Sequence, residues 1–317
     1  MRAITVLLFL GAWLLVLPQA QADESNFTTG MILYNQNDWI NSQPPLKAAA
    51  ESGNREAQYY LAEALRLANR YMTSEAASWY VAAAEQGDVF AMLRLSSSDT
   101  LCIAKTCTKD NKFWKKRALE VAKRKASEGD NSAMYALYFL TGDKKWLMKS
   151  AEAGNSEAGY FLVRLMLDDT WDRKTGRSTL SKPARQYLEK AASDGNPHAM
   201  ALLSGFLNEE GDYQSSKKWL ERCLETSHYD CILRMEMIHQ GDFERYNELD
   251  YNPEKAIAYG FFLFRVDSLA PPAPETDLMP EFRESLTDED KARGEAFFNE
   301  WKKTHPPVSY HVRKFGF

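Results

Sequence analysis

The sequence predicts an all-α protein: a right-handed α/α solenoid of helix-turn-helix repeats, closed by a C-terminal capping helix. Three observations predict it. First, one phrase recurs at KAAAESGNREAQYYLAEAL (47–65), VAAAEQGDVFAMLRL (81–95), KRKASEGDNSAMYALYFL (123–140), KSAEAGNSEAGYFLVRLM (149–166) and EKAASDGNPHAMALLSGFL (189–207). Self-similarity of this kind marks stacked arrays of supersecondary units. Second, each copy holds one glycine (Gly53, Gly87, Gly129, Gly154, Gly195) with alanine three before it and four after it, and leucine eight after it. Spacings of four place these small and apolar side chains on one helical face. Third, the glycine is followed directly by Asn54, Asp88, Asp130, Asn155 or Asn196. Glycine ends a helix and a short polar side chain caps the next, so each phrase is a corner between two helices.

In chain order, residues 1–22 read as a secretory signal peptide. Arg2 gives the positive start, Ile4 to Leu17 an apolar run, and Pro18 and Ala20-Gln21-Ala22 a cleavage region, with cleavage expected after Ala22. The run is shorter than the roughly 20 residues a spanning helix needs, and no later segment is apolar for long enough to span. Residues 23–43 are an N-terminal lead-in, and 44–266 the solenoid. A hairpin of this size cannot bury its apolar stripe alone, so successive hairpins must stack. A disguised sixth copy, KKWLERCLETSHYDCILRMEM (217–237), puts Ser227 in the glycine column, Cys223 four before it and Cys231 four after. Residues 267–285 form a Pro-rich linker. In 286–317, LTDEDKARGEAFFNEWKK reads as a capping helix, with Thr287 as its cap, acids in its first turn and lysines in its last. The tail HPPVSYHVRKFGF is aromatic and basic; it is disordered, packed on the cap or part of a contact surface.

The corner phrase resembles the SEL-one-like repeat, a relative of the tetratricopeptide repeat with Ala-Ala-x-x-Gly-(Asn/Asp)-x-x-Ala-x-x-x-Leu at its corner. EAASWYVAAAEQGDVFAML (75–93) is the nearest copy, and the resemblance covers roughly residues 44–264. The glycine spacings of 34, 42, 25 and 41 depart from the family's regular period. The Cys-x7-Cys spacing resembles the disulfide-bridged repeat of secreted cysteine-rich members, which implies a Cys223–Cys231 bridge. Cys102 and Cys107, the other close pair, are expected to form a second disulfide in an oxidising compartment. Zinc is the weaker alternative for these four cysteines, because neither pair has the two-residue ligand spacing and no histidine cluster accompanies them.

Little in the sequence suggests catalysis. His198, His228, His239, His305 and His311 are scattered, and no pair has the helical spacing of a zinc hydrolase. There is no nucleophile elbow, phosphate-cradling loop or dinucleotide fingerprint. No cofactor and no metal site are expected. Removing residues 1–22 leaves 38 Lys+Arg against 44 Asp+Glu, a formal charge of −6, which argues against nucleic acid as a partner.

What remains is surface. Positions three, seven and ten after each corner make a second stripe beside the core face: Glu56, Tyr60 and Glu63, then Phe90 and Arg94, Phe139, Glu157, Phe161 and Arg164, His198, and Asp230, Arg234 and Met237. Its mixture of aromatics, arginines and acids suits a protein interface. Tyr60, Arg94, Arg164, Arg234, Glu157 and His198 are the candidate partner contacts. The competing reading makes the aromatics inter-repeat core and the charges a solvated face. The resemblance implies a non-catalytic periplasmic (alternatively secreted) protein-binding solenoid. In particular, exported members include immunity proteins that neutralise phospholipase effectors of type VI secretion. An envelope scaffold for cell-wall or polysaccharide enzymes is one alternative; a β-lactam-binding or hydrolysing protein, as implied by cysteine-rich relatives, is another.

Overall fold

The computed structural model describes residues 23–97, 111–171, 178–241, 249, 254–268 and 280–315. The signal peptide, Cys102 and Cys107 and most of the Pro-rich linker lie outside them. Two compact units divide the chain, Met1–Val121 and Ala122–Phe317. Among the described residues both are helical, with one isolated bridge pair, His228 with Ser309.

The first unit contains α1 (23–35), α2 (Gln43–Glu51), α3 (Arg55–Asn69), α4 (Ser74–Glu85), α5 (Val89–Ser96) and the start of α6 (Asn111–Ser127). The second contains the end of α6, α7 (Asn131–Thr141), α8 (Lys144–Glu152), α9 (Ser156–Asp168), α10 (Lys182–Ser193), α11 (Pro197–Glu209), α12 (Tyr213–Leu224) and α13 (Tyr229–Gln240). It continues through α14 (Lys255–Asp267), α15 (Pro280–Ser285) and α16 (Asp288–Thr304). Consecutive helices pack as antiparallel neighbours, as their short connections require.

The five glycine corners share one geometry. Each glycine has φ between 86° and 95°, a region that penalises a Cβ. Its N–H donates to the carbonyl of the alanine three before it, and the next residue's N–H reaches five back, as in Asn54 to Ala49 and Asp88 to Ala83. This is the Schellman ending of a helix. The same Asn or Asp then caps the following helix, accepting a 2.9 Å hydrogen bond from the N–H of Ala57, Ala91, Ala133, Ala158 or Ala199. Those alanines, their partners before the glycine and the leucines at plus eight are all buried. One short phrase therefore stops a helix, starts the next and closes the gap between them.

At the sixth corner Ser227 takes the left-handed conformation at φ 51°, and His228 occupies the cap position without a side-chain cap bond. A bridge between buried Cys223 and Cys231 ties the two helices together. A loop this short supports a stabilisation of about 2–3 kcal/mol by the chain-entropy model. Replacing both cysteines with alanine is expected to lower the urea-unfolding free energy by that amount; an unchanged midpoint would show the corner to be held by packing alone.

The end of the chain is tightly seated. Thr287 caps α16 in a reciprocal capping box with Asp290. Helices α14 and α16 approach so closely that a Cβ on Gly260 would sit 2.9 Å from the Gly294 carbonyl, and one on Gly294 would sit 2.8 Å from the Ala256 carbonyl. Phe261 packs edge-on against Phe297 and Trp301, at 5.0 and 5.2 Å between ring centroids. No helix among the described residues is long and apolar enough to cross a membrane.

Candidate functional site

The second stripe has different fates in the two units. In the first it is interior. Tyr60 is buried, with its ring edge-on to Tyr34 of α1 at 5.1 Å and to Tyr59 at 5.3 Å. Helix α1, expected only as a lead-in, covers this part of the stripe. Arg94 is also buried: its Nε lies 2.5 Å from Glu63 Oε1, while Arg66 reaches Glu63 Oε2 at 2.7 Å. Burial alone would raise the Glu63 pKa, but the two guanidiniums outweigh it and hold the carboxyl below its ordinary value. Tyr60 and Arg94 are therefore corrected from contact candidates to core residues. The physical reason is that α1 packs its aromatic surface onto the stripe, and the cost of burying Glu63 there is limited by its two guanidinium partners.

In the second unit the stripe lies along α7, α9, α11 and α13, and the C-terminal tail runs over it. Val308 is fully buried in the core cluster beneath. Ser309 pairs with the sixth corner on both sides: its N–H donates to the Ser227 carbonyl and its carbonyl accepts from Tyr229 N–H, each at 3.0 Å. Tyr310 packs on Tyr229, at 4.7 Å between centroids. Further along, the Arg313 guanidinium lies 5.2 Å from the centre of the Phe161 ring, and Phe315 meets Phe139 at 4.8 Å. The tail is thus a non-helical segment that crosses the second helices in turn and fills the face on which partner contacts were expected.

The four other candidates lie on this face, and two of them, His198 and Glu157, interact with the tail. Arg164 is exposed on α9. Arg234 is half-buried on α13 and donates to the Ala201 carbonyl at 3.1 Å. Glu157 accepts from Asn196 at 3.2 Å through Oε1, whereas its Oε2 is buried without a hydrogen-bond partner. Burial pushes the Glu157 pKa up to about 7, against the opposing pull of Arg313. His198 stacks on Tyr160 at 5.3 Å and places Nε2 3.1 Å from the His311 carbonyl.

Three histidines that the sequence scatters meet under the tail. His228 Nε2 is 3.0 Å from His198 Nδ1, His311 stacks over His228 at 5.7 Å, and His311 Nε2 is 3.2 Å from the Thr226 carbonyl. The carbonyls fix the tautomers. His198 must carry its proton on Nε2 to donate to His311, so its Nδ1 accepts from His228 Nε2–H. Burial lowers the pKa of all three, furthest for His228, where the neighbouring imidazoles add to the effect. Sequence reasoning missed this cluster because its members come from α11, a corner and the tail, separated by 30 and 83 positions. The aromatic, basic composition of 305–317 was the one signal that pointed to the tail.

No protein-family model matches the chain, and no curated protein matches it. Solved structures similar to it include two helical-repeat proteins. One is a protective antigen present in uropathogenic Escherichia coli strains and displaying an SLR fold (TM-score 0.48, 21% identity, 91% of this chain and 62% of that one). The other is a Sel1 repeat protein from Oxalobacter formigenes (TM-score 0.33, 24% identity, 65% of this chain and 87% of that one). The chain therefore spans less than two thirds of the length of the first. Independently of either, the five glycine corners, with their shared dihedral, cap and buried alanines, make each unit an array of helix-turn-helix pairs.

Proposed function

We propose that the protein is an exported, non-catalytic solenoid that binds a protein partner on the face built by α7, α9, α11 and α13. In its most specific form it is a periplasmic immunity protein that neutralises a phospholipase-type effector of type VI secretion. One observation carries the binding reading: this face already holds an extended polypeptide, its own tail. It does so by the means a partner segment would use, namely backbone pairing at Ser227 and Tyr229, an apolar anchor at Val308 and aromatic contacts at Phe139 and Phe161. Glu157 and His198 beside the tail, with Arg164 and Arg234 on the helices of the same face, supply the polar rim that interfaces use around an apolar centre. The exported, immunity and phospholipase elements come from the leader sequence and from the family resemblance.

The test uses the mature, disulfide-bonded chain and a purified phospholipase effector encoded beside it. Stoichiometric inhibition of the lipase is the expected result. Arg164→Glu should weaken binding by about tenfold or more, on the scale of a charge reversal at an interface rim, with the thermal midpoint unchanged. Several weaker envelope partners in place of one tight toxin would replace this reading with a scaffold. A defined pocket turning over a small molecule would reopen catalysis.

A further inference from the structure

We propose that His198, His228 and Asp230 form a binding site for one divalent metal ion of the zinc class, at the corner between α12 and α13 where the tail docks. His198 lies in the first turn of α11, His228 caps α13 and Asp230 lies in the first turn of α13. One ligand atom from each falls within 4.8 Å of the others. Two imidazoles and a carboxylate are a donor set that suits zinc and leaves at least one position open.

Three features separate this cluster from a chance meeting of polar side chains. The imidazole rings are nearly perpendicular, and their centroids are only 4.4 Å apart. Their facing nitrogens, His228 Nε2 and His198 Nδ1, lie 3.0 Å apart, close enough for one ion to bind both. Next, the tail already sets the ligand form of His198: its Nε2–H is held by the His311 carbonyl, which directs the Nδ1 lone pair inward. A carbonyl acceptor behind a ligating histidine is the usual outer-shell arrangement. Last, His228 is 1% exposed and its Nδ1 has no hydrogen-bond partner. When a metal takes Nε2, the proton there moves to Nδ1; that atom is unpartnered in either tautomer, so no existing hydrogen bond to it is sacrificed.

Charge sets the strength. Asp230 is exposed, which gives the ion a route in and one negative charge. Arg234 and Arg313 face the cluster and oppose a cation, so the affinity expected is micromolar, weaker than that of a structural zinc site. The nearby Cys223 and Cys231 sulfurs are joined in the disulfide and cannot serve as thiolate ligands.

Zinc chloride is titrated calorimetrically into the mature, disulfide-intact chain, and cobalt binding is followed by its visible absorption. One ion per chain with micromolar affinity is expected, together with the strong visible bands of low-coordinate cobalt. His198→Gln and Asp230→Asn should each weaken binding by about tenfold or more and abolish the cobalt bands, and His305→Gln should leave both unchanged. Both ligand variants alter partly or fully exposed side chains and spare the buried His228, and a thermal melt confirms that each is folded. The proposal is overturned by an absence of saturable binding, by binding that neither variant changes, or by binding that appears only once the Cys223–Cys231 bridge is reduced.

Discussion

Replacing Arg94 with leucine is expected to lower the unfolding free energy by about 3–5 kcal/mol, the range for removing one partner of a buried ion pair. Glu63 is 1% exposed and takes hydrogen bonds from Arg94 on one side and Arg66 on the other. Without Arg94 it keeps only one cationic partner among the described residues, Arg66, itself partly exposed, beneath a shell of tyrosines. Replacing Glu63 and Arg94 together with leucine should recover much of the loss, because no uncompensated charge then remains. The pH dependence has a definite sign. The folded carboxyl sits below its ordinary value of 4.5, so its stabilisation is fully present above that value and disappears as pH falls through the lowered one. The gap between wild type and Arg94→Leu should therefore be widest near neutrality and shrink in acid. Urea unfolding between pH 3 and 7 reads both effects, and a gap that grows in acid would show that Glu63 is not held by its arginines. The buried Glu236–Arg265 pair, at 2.8 Å between α13 and α14, repeats the design in the second unit.

Gly294→Val is expected to destabilise by about 3 kcal/mol, at the upper end of the range for overpacking. The atom in the way is a backbone carbonyl, that of Ala256, and it cannot rotate aside. The only relief is for α16 to move away from α14. Because the tail continues directly from α16, that movement should also withdraw Val308 and Ser309 from the sixth corner. Limited proteolysis should then cut within 305–315, and a partner that competes with the tail should bind more tightly even as the thermal midpoint falls. An unchanged midpoint together with a protected tail would show that the two helices have more room than their separation indicates.

The repeat architecture was legible because it is local. Every corner is written in about a dozen consecutive residues, and the positive φ of Gly53 or Gly195 and the caps at Asn54 or Asn196 follow from residue types alone. Even the disguised corner was readable, since Cys223 and Cys231 stand where small residues stand elsewhere. The candidate site was legible only in part. Helical periodicity identifies a face but does not say what covers it: α1 does so in the first unit and residues 308–315 in the second. Tyr60 and Arg94 look like contact residues on a helical wheel; α1 turns them into core. His198 and Glu157 border the tail through contacts such as His311 to His198 that span more than a hundred positions. No short-range pattern encodes such pairs.

Most contacts in a stacked array join neighbours in sequence, so each repeat can fold as soon as the one before it is in place. The tail is the exception, because Phe315 rests on Phe139 and Ser309 on Ser227. Those contacts have the longest loops to close and involve a segment synthesised after the helices that receive it, so they form after those helices. A newly made chain consequently passes through an interval in which α7, α9, α11 and α13 are assembled and nothing lies across them. A partner that uses this face, as proposed above, would meet no internal competitor during that interval, whereas in the folded molecule it would first have to displace residues 308–315. On that reading the age of the molecule sets its on-rate: fresh chains would be captured quickly, and stored ones only as fast as the tail lifts.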